Sequence, residues 1–153
     1  MLLTHLKARE VQPLVSQWAS SLVRSPIPFN NNVTHITIPG RTPSKKNSRV
    51  CFVRAGKLFN IPSKAYAEWH KAALNMLPSG LILIDIKEVT LHFYAPDKRG
   101  TDLSNKAESI MDLLVDKGII KDDNWFIIPK LILELKDIDR LNPRCEAYIE
   151  RAQ

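Results

Sequence analysis

Apolar residues near the start of the chain recur close to helical spacing, at Leu2, Leu3 and Leu6 and then at Val11, Leu14, Val15, Trp18, Leu22 and Val23. Pro13 either interrupts this run or opens a second helix as its first residue. The pattern ends at Pro26 and Pro28 and is followed by the polar turn Asn30-Asn31-Asn32. This predicts an N-terminal helical extension over 1–32 and a main domain over 33–153.

The remainder alternates between strand and helix signals. His35-Ile36-Thr37-Ile38 is a β-branched run closed by Pro39-Gly40, and residues 41–48 are too polar to bury themselves. Val50 to Val53 and Leu58 to Asn60 flank Ala55-Gly56, the signature of a hairpin. Pro62-Ser63 supplies an N-cap for a helix over 64–77, with Tyr66, Trp69, Ala73 and Leu77 at helical spacing. A strand is predicted within 82–94, where Val89, Leu91 and Phe93 alternate with Thr90, His92 and Tyr94. A helix over 102–116 stops at Gly118, and strands over 125–135 and 144–149 flank the polar turn 137–143. Trp125 and Phe126, at the start of the first of these, read as core residues in preference to a base-stacking wedge. The order predicts an α+β fold, a mixed β-sheet with two main helices packed on it, plus the N-terminal helical extension.

Wound at 100° per residue, the 102–116 helix separates into two faces. Leu103, Ala107, Ile110, Met111, Leu114 and Val115 share an arc that would pack on the sheet. Asn105, Glu108, Ser109, Asp112 and Asp116 share the other, with Asp102 at its margin. Six residues of rise place Asp102 and Glu108 roughly 9 Å apart along the axis, and the N-terminal lean of the longer Glu108 side chain shortens the gap.

Charge gives this acidic face a context. The chain carries 22 Lys+Arg against 16 Asp+Glu, a net charge of +6, which favours an anionic partner such as nucleic acid. Lys45, Lys46 and Arg49 crowd the loop after the first strand, Lys98 and Arg99 precede the acidic helix, and Asn105 and Lys106 lie on it. These seven are the candidate nucleic-acid contacts. Cys51 and Cys145 belong to no zinc-ligand spacing and read as free thiols of a reducing compartment. With no apolar run long enough for a membrane span and no signal-peptide pattern, the expectation is a cytoplasmic protein without a membrane partner.

Carboxylates beside a basic surface suit Mg²⁺, with Mn²⁺ as an alternative ion, because such ions take one or two carboxylates together with substrate phosphate. One helix cannot supply every ligand, and Asp122-Asp123 is the candidate second source. The seven residues 117–123 span at most roughly 24 Å, against roughly 22 Å for a fifteen-residue helix. Asp123 could therefore return to the helix start, stay near Asp112, or complete a site in a dimer partner.

Pro96-Asp97, a basic turn, Asp102-Leu103 and Asn105, then Asp112, Gly118 and Asp122-Asp123, resemble the RusA family of Holliday-junction resolvases from phages and bacteria. Pro43-Ser44 followed by Asn47 resembles that family's N-terminal motif. The resemblance covers about residues 33–150 and is strongest over 97–124. It implies a homodimeric, Mg²⁺-dependent endodeoxyribonuclease acting on branched DNA, cutting paired strands symmetrically at four-way junctions. Asp102 and Asp123 match catalytic aspartates of the family. Its second Asp is Ser104 here, and a catalytic Lys is matched by Glu108. The favoured resolution is that Glu108 restores the missing carboxylate, so that Asp102, Glu108 and Asp123 form the catalytic and metal-binding set with Asp112 as a further ligand. The positive role then falls to Lys106, Lys45 or Lys46, or is not needed. Other readings are a nuclease for flaps or other branched DNA, and a non-catalytic branched-DNA-binding module.

Overall fold

The computed structural model of the chain describes residues 32–153. The extension expected over 1–32 lies, Asn32 apart, outside the described residues. The alternating run becomes β4 (Ile86–Ala95), whose Val89, Leu91 and Phe93 enter the core while Thr90, His92 and Tyr94 are only partly buried. The main sheet runs in the order β1 (Val33–Pro39), β6 (Arg144–Arg151), β4, β5 (Leu131–Ile138). β6 is antiparallel to both neighbours, whereas β4 and β5 are parallel. A parallel pair needs a crossover, and α2 (Leu103–Asp116) lies within it. The turn over 96–102 therefore sits just beyond the carboxyl end of β4.

The fold is α+β, as the alternation of patterns predicts. Helix α1 (Lys64–Met76) begins where expected, with the Ser63 side chain accepting a 3.2 Å hydrogen bond from the Tyr66 N–H. Strands β2 (Arg49–Arg54) and β3 (Lys57–Pro62) form a separate hairpin turned by Ala55 and Gly56, at φ 51° and 74°. Positive φ at both central residues gives the turn the twist that hairpins favour. Every residue of this hairpin is exposed, including the stacked pair Phe52 and Phe59.

Two predicted strands start later than their apolar residues suggest. Ile82 and Ile84 precede β4 and are exposed. Asp85 adopts φ 53° and turns the chain there, while Leu83 is buried and its N–H is tied to the Ile119 carbonyl at 2.8 Å. Likewise, residues 125–130 are not strand. Asn124 Oδ1 accepts from the N–H groups of Phe126 and Ile127, at 2.9 and 3.3 Å, and its carbonyl accepts from Ile127 and Ile128. Such side-chain bonds offer the backbone an alternative to the ladder, and Pro129 lacks a donor. Trp125 and Phe126 are consequently 77% and 85% exposed, not core.

The core joins α2 to the sheet through Ile110, Leu113, Leu114, Val89, Leu91 and Ile149. Cys145 is also buried there, whereas Cys51 is exposed on the hairpin, so neither is bonded to the other.

Candidate functional site

The middle of the polar face of α2, around Ser109, is covered by protein, while Asp102 and Asp116 at its ends are exposed. Residues 41–48 lie along it, and α1 closes its other side. Ser109, expected on the polar surface, is fully buried. Its Oγ accepts a 3.1 Å bond from the Lys45 N–H. Further along, Asp112 accepts a 2.6 Å bond from Lys45 Nζ, and Asp116 stands 3.0 Å from His70 Nε2. Glu108 lies 3.2 Å from Lys46 Nζ. The hydrogen bond to Asp112 raises the Lys45 ammonium above its usual pKa, against the opposing effect of burial.

Asp102 is placed differently. It occupies the N-cap position of α2, yet its side chain makes no capping hydrogen bond. Its Oδ2 instead accepts a 2.9 Å bond from the Asn105 amide, one turn on. The carboxylate borders a cavity of about 410 Å³ lined also by Arg41, Ser44, Asn47, Asn105 and Lys106. Lys106 Nζ donates to the buried Thr42 carbonyl, which holds the loop against the helix. Burial and then the charge of Arg41 push this ammonium below its usual pKa. Of the three lysines weighed for the missing positive role, Lys106 is the one lining the Asp102 cavity. Lys45 and Lys46 are engaged with Asp112 and Glu108.

Among the described residues, no group of three or more His, Cys, Asp and Glu side chains stands ready to hold a metal ion. Asp102, Glu108, Asp112 and Asp123 therefore form no assembled cluster in the chain. Asp123 is exposed on the turn after Ile120, and its N–H donates to Asp122 Oδ1 at 2.7 Å. Asp122, which also accepts from Asn124 at 2.6 Å, is the structural member of the pair. The donor set suits an ion that takes one carboxylate and completes its shell with phosphate and water. It does not suit one that needs three protein carboxylates already in place.

The basic candidates divide as well. Arg49 is engaged within the hairpin, donating to the Asn60 side chain and carbonyl at 2.7 and 2.6 Å. Arg99 grips Asp97 through two side-chain bonds of 3.0 and 2.6 Å and holds that carboxyl well below its usual range. Lys98 is exposed, and so is Arg41, which pattern reading did not single out. Its place directly before Thr42-Pro43-Ser44 was the available signal.

No protein-family model and no curated protein matches this chain. No helix among the described residues is long and apolar enough to cross a membrane.

Ser109→Ala tests whether the loop is pinned as described. Losing the acceptor leaves the Lys45 N–H unpaired in a half-buried place, which costs about 1–3 kcal/mol. The urea midpoint should fall accordingly, and an unchanged midpoint would show that this bond does not hold the loop.

Proposed function

We propose that the chain is a Mg²⁺-dependent endodeoxyribonuclease for branched DNA, of the RusA-like Holliday-junction resolvase type. The observation that carries this reading is the Asp102 cavity, which sets an uncapped carboxylate among Arg41, Lys106, Asn105, Ser44 and Asn47. Cations and amide donors around one carboxylate are what a phosphodiester beside a divalent ion requires. Asp102 would hold the ion, with Glu108, about 9 Å further along the helix axis, as the nearest of the other expected carboxylates; Asp112, about 15 Å along, and Asp123, beyond the far end of α2, do not reach it within one chain. Mg²⁺, or Mn²⁺, supplies Lewis acidity and lowers the pKa of a water.

Asn105 orients the Asp102 carboxylate, while Arg41 and Lys106 offset the charge that builds on the phosphate. Lys45, Lys46 and Lys98 give the surrounding surface its attraction for the backbone, which positions DNA without reading bases. A homodimer would set two such sites against the two-fold symmetry of a four-way junction, and the apolar hairpin offers surface for a second copy. A second reading, a branched-DNA-binding module without chemistry, is favoured by the Lys46–Glu108 and Lys45–Asp112 pairs, which occupy two of the four carboxylates.

A panel of four-way junction, flap and linear duplex, each with and without Mg²⁺, separates these readings. Paired nicks in the junction only with Mg²⁺ support the resolvase. Faster cutting of the flap moves the substrate to other branched DNA. Binding without cleavage under any ion condition leaves the module.

A further inference from the structure

Every residue of the β2–β3 hairpin is exposed, and the strand register shows what the hairpin offers. Directly opposed residues of an antiparallel pair share a face. Val50 with Ile61, Phe52 with Phe59 and Arg54 with Lys57 therefore lie on one side. The two phenylalanine rings are stacked, with centroids 5.3 Å apart and planes inclined by 11°. They are 40% and 39% exposed, and Val50 and Ile61 beside them are more so. A two-stranded hairpin on its own is at best marginally stable in water, so an uncovered aromatic face of this kind calls for a partner. The hairpin is rooted at the site already described. Ser48 lines the Asp102 cavity, and its carbonyl accepts a 2.6 Å bond from the Ser63 N–H that closes the hairpin's base. Six residues in each strand carry the tip roughly 20 Å from that base.

Charge decides what that partner is. Between Gly40 and Ala67 the chain has seven Lys and Arg and no Asp or Glu. Set against a second copy of itself, the phenylalanine face would bring Arg54 and Lys57 against like charges, whereas phosphate is attracted to them. We propose that this face is a wedge that stacks on bases exposed at a DNA branch point, with Arg54 and Lys57 on the phosphates beyond them. Apolar side chains that enter a base stack must first unstack it. At a branch the stack is already interrupted, so entry there costs less than within a duplex. The wedge therefore selects branched over linear DNA, and it does so without reading sequence, since every base presents a π face. The opposite face of the hairpin, with Val53 and Leu58, is left to the second copy considered above. The inference rests on the DNA reading of the Asp102 site but not on cleavage, and it adds to that reading the element that recognises branching.

The test uses the full chain in EDTA, so that no strand is cut, with a four-way junction and a linear duplex followed by anisotropy. Phe52→Ala combined with Phe59→Ala is expected to weaken junction binding about tenfold and to leave duplex binding within about twofold. Arg54→Ala combined with Lys57→Ala should weaken both and reduce the slope of log affinity against log salt by about 2, as two phosphate contacts are lost. In the unaltered chain, a photo-crosslinker attached to Cys51, the exposed one of the two cysteines, should mark nucleotides that flank the branch. Phenylalanine changes that weaken junction and duplex equally, or neither, overturn the wedge and leave the nuclease reading standing. Crosslinks confined to the arms, or none to DNA, also overturn it. Failure of the unaltered chain to bind DNA of any form overturns both. The Cys51 measurement needs no substitution, so it decides the question even if the hairpin of the double variant does not form.

Discussion

Asp102→Asn is expected to reduce junction cleavage about a thousandfold or more while leaving junction binding intact or tighter. Loss of a carboxylate that holds the catalytic ion removes several kcal/mol of transition-state stabilisation, and about 4 kcal/mol corresponds to a thousandfold. Binding is spared because the substitution removes a negative charge from a surface that meets phosphate. The fold is spared too. The Asp102 side chain makes no capping bond, and asparagine is as good an N-cap residue as aspartate. Single-turnover cleavage with saturating Mg²⁺, beside anisotropy in EDTA, separates these effects. Cutting at the unaltered rate would sink the site. The same change at Asp123, which lies beyond the far end of α2 from Asp102, asks whether that exposed residue completes the site of a second copy. A comparable loss says that it does, and an ordinary rate removes it from the site.

Leu114→Ala should cost about 3–5 kcal/mol, the upper part of the range for emptying a leucine site in a core. Leu114 is fully buried on α2, and its carbonyl accepts from the Ile119 and Ile120 N–H groups, at 3.0 and 3.4 Å. It thus helps hold both the helix on the sheet and the chain that follows. A domain of this kind has only about 5–15 kcal/mol of total stability, so such a change brings it close to unfolding. Urea unfolding should show a lowered midpoint with an unchanged slope. A loss under about 1 kcal/mol would mean that the neighbouring side chains refill the space and that α2 is less tightly docked than its burial indicates.

Much of the architecture was legible where local signals agreed. The alternation through Val89 and Phe93 marked β4, Ser63 announced the start of α1, and Ala55-Gly56 marked the hairpin. Boundaries failed where short-range chemistry overrode hydrophobicity. Asn124 redirected the backbone beneath Trp125 and Phe126, and Asp85 turned the chain after Ile84, so apolar residues that looked like strand were left exposed. Ser109 failed for the opposite reason. Helical periodicity put it on a polar face, but periodicity does not reveal that another segment will cover that face.

The sequence by itself determined that α2 would carry an apolar arc and a row of acids, that a basic turn would precede it, and that β4 would deliver the chain to that turn. These are local properties, set by residue spacing and the pitch of a helix or the alternation of a strand. Only the tertiary structure decided which acids are committed elsewhere. Lys45 reaches Asp112 and Lys46 reaches Glu108 across more than sixty residues of chain, while Asp102 keeps an uncapped carboxylate facing a cavity with Arg41 and Lys106. The difference arises because a side chain's partner depends on how loop 41–48 closes over the helix, and that closure is set by the packing of the whole domain.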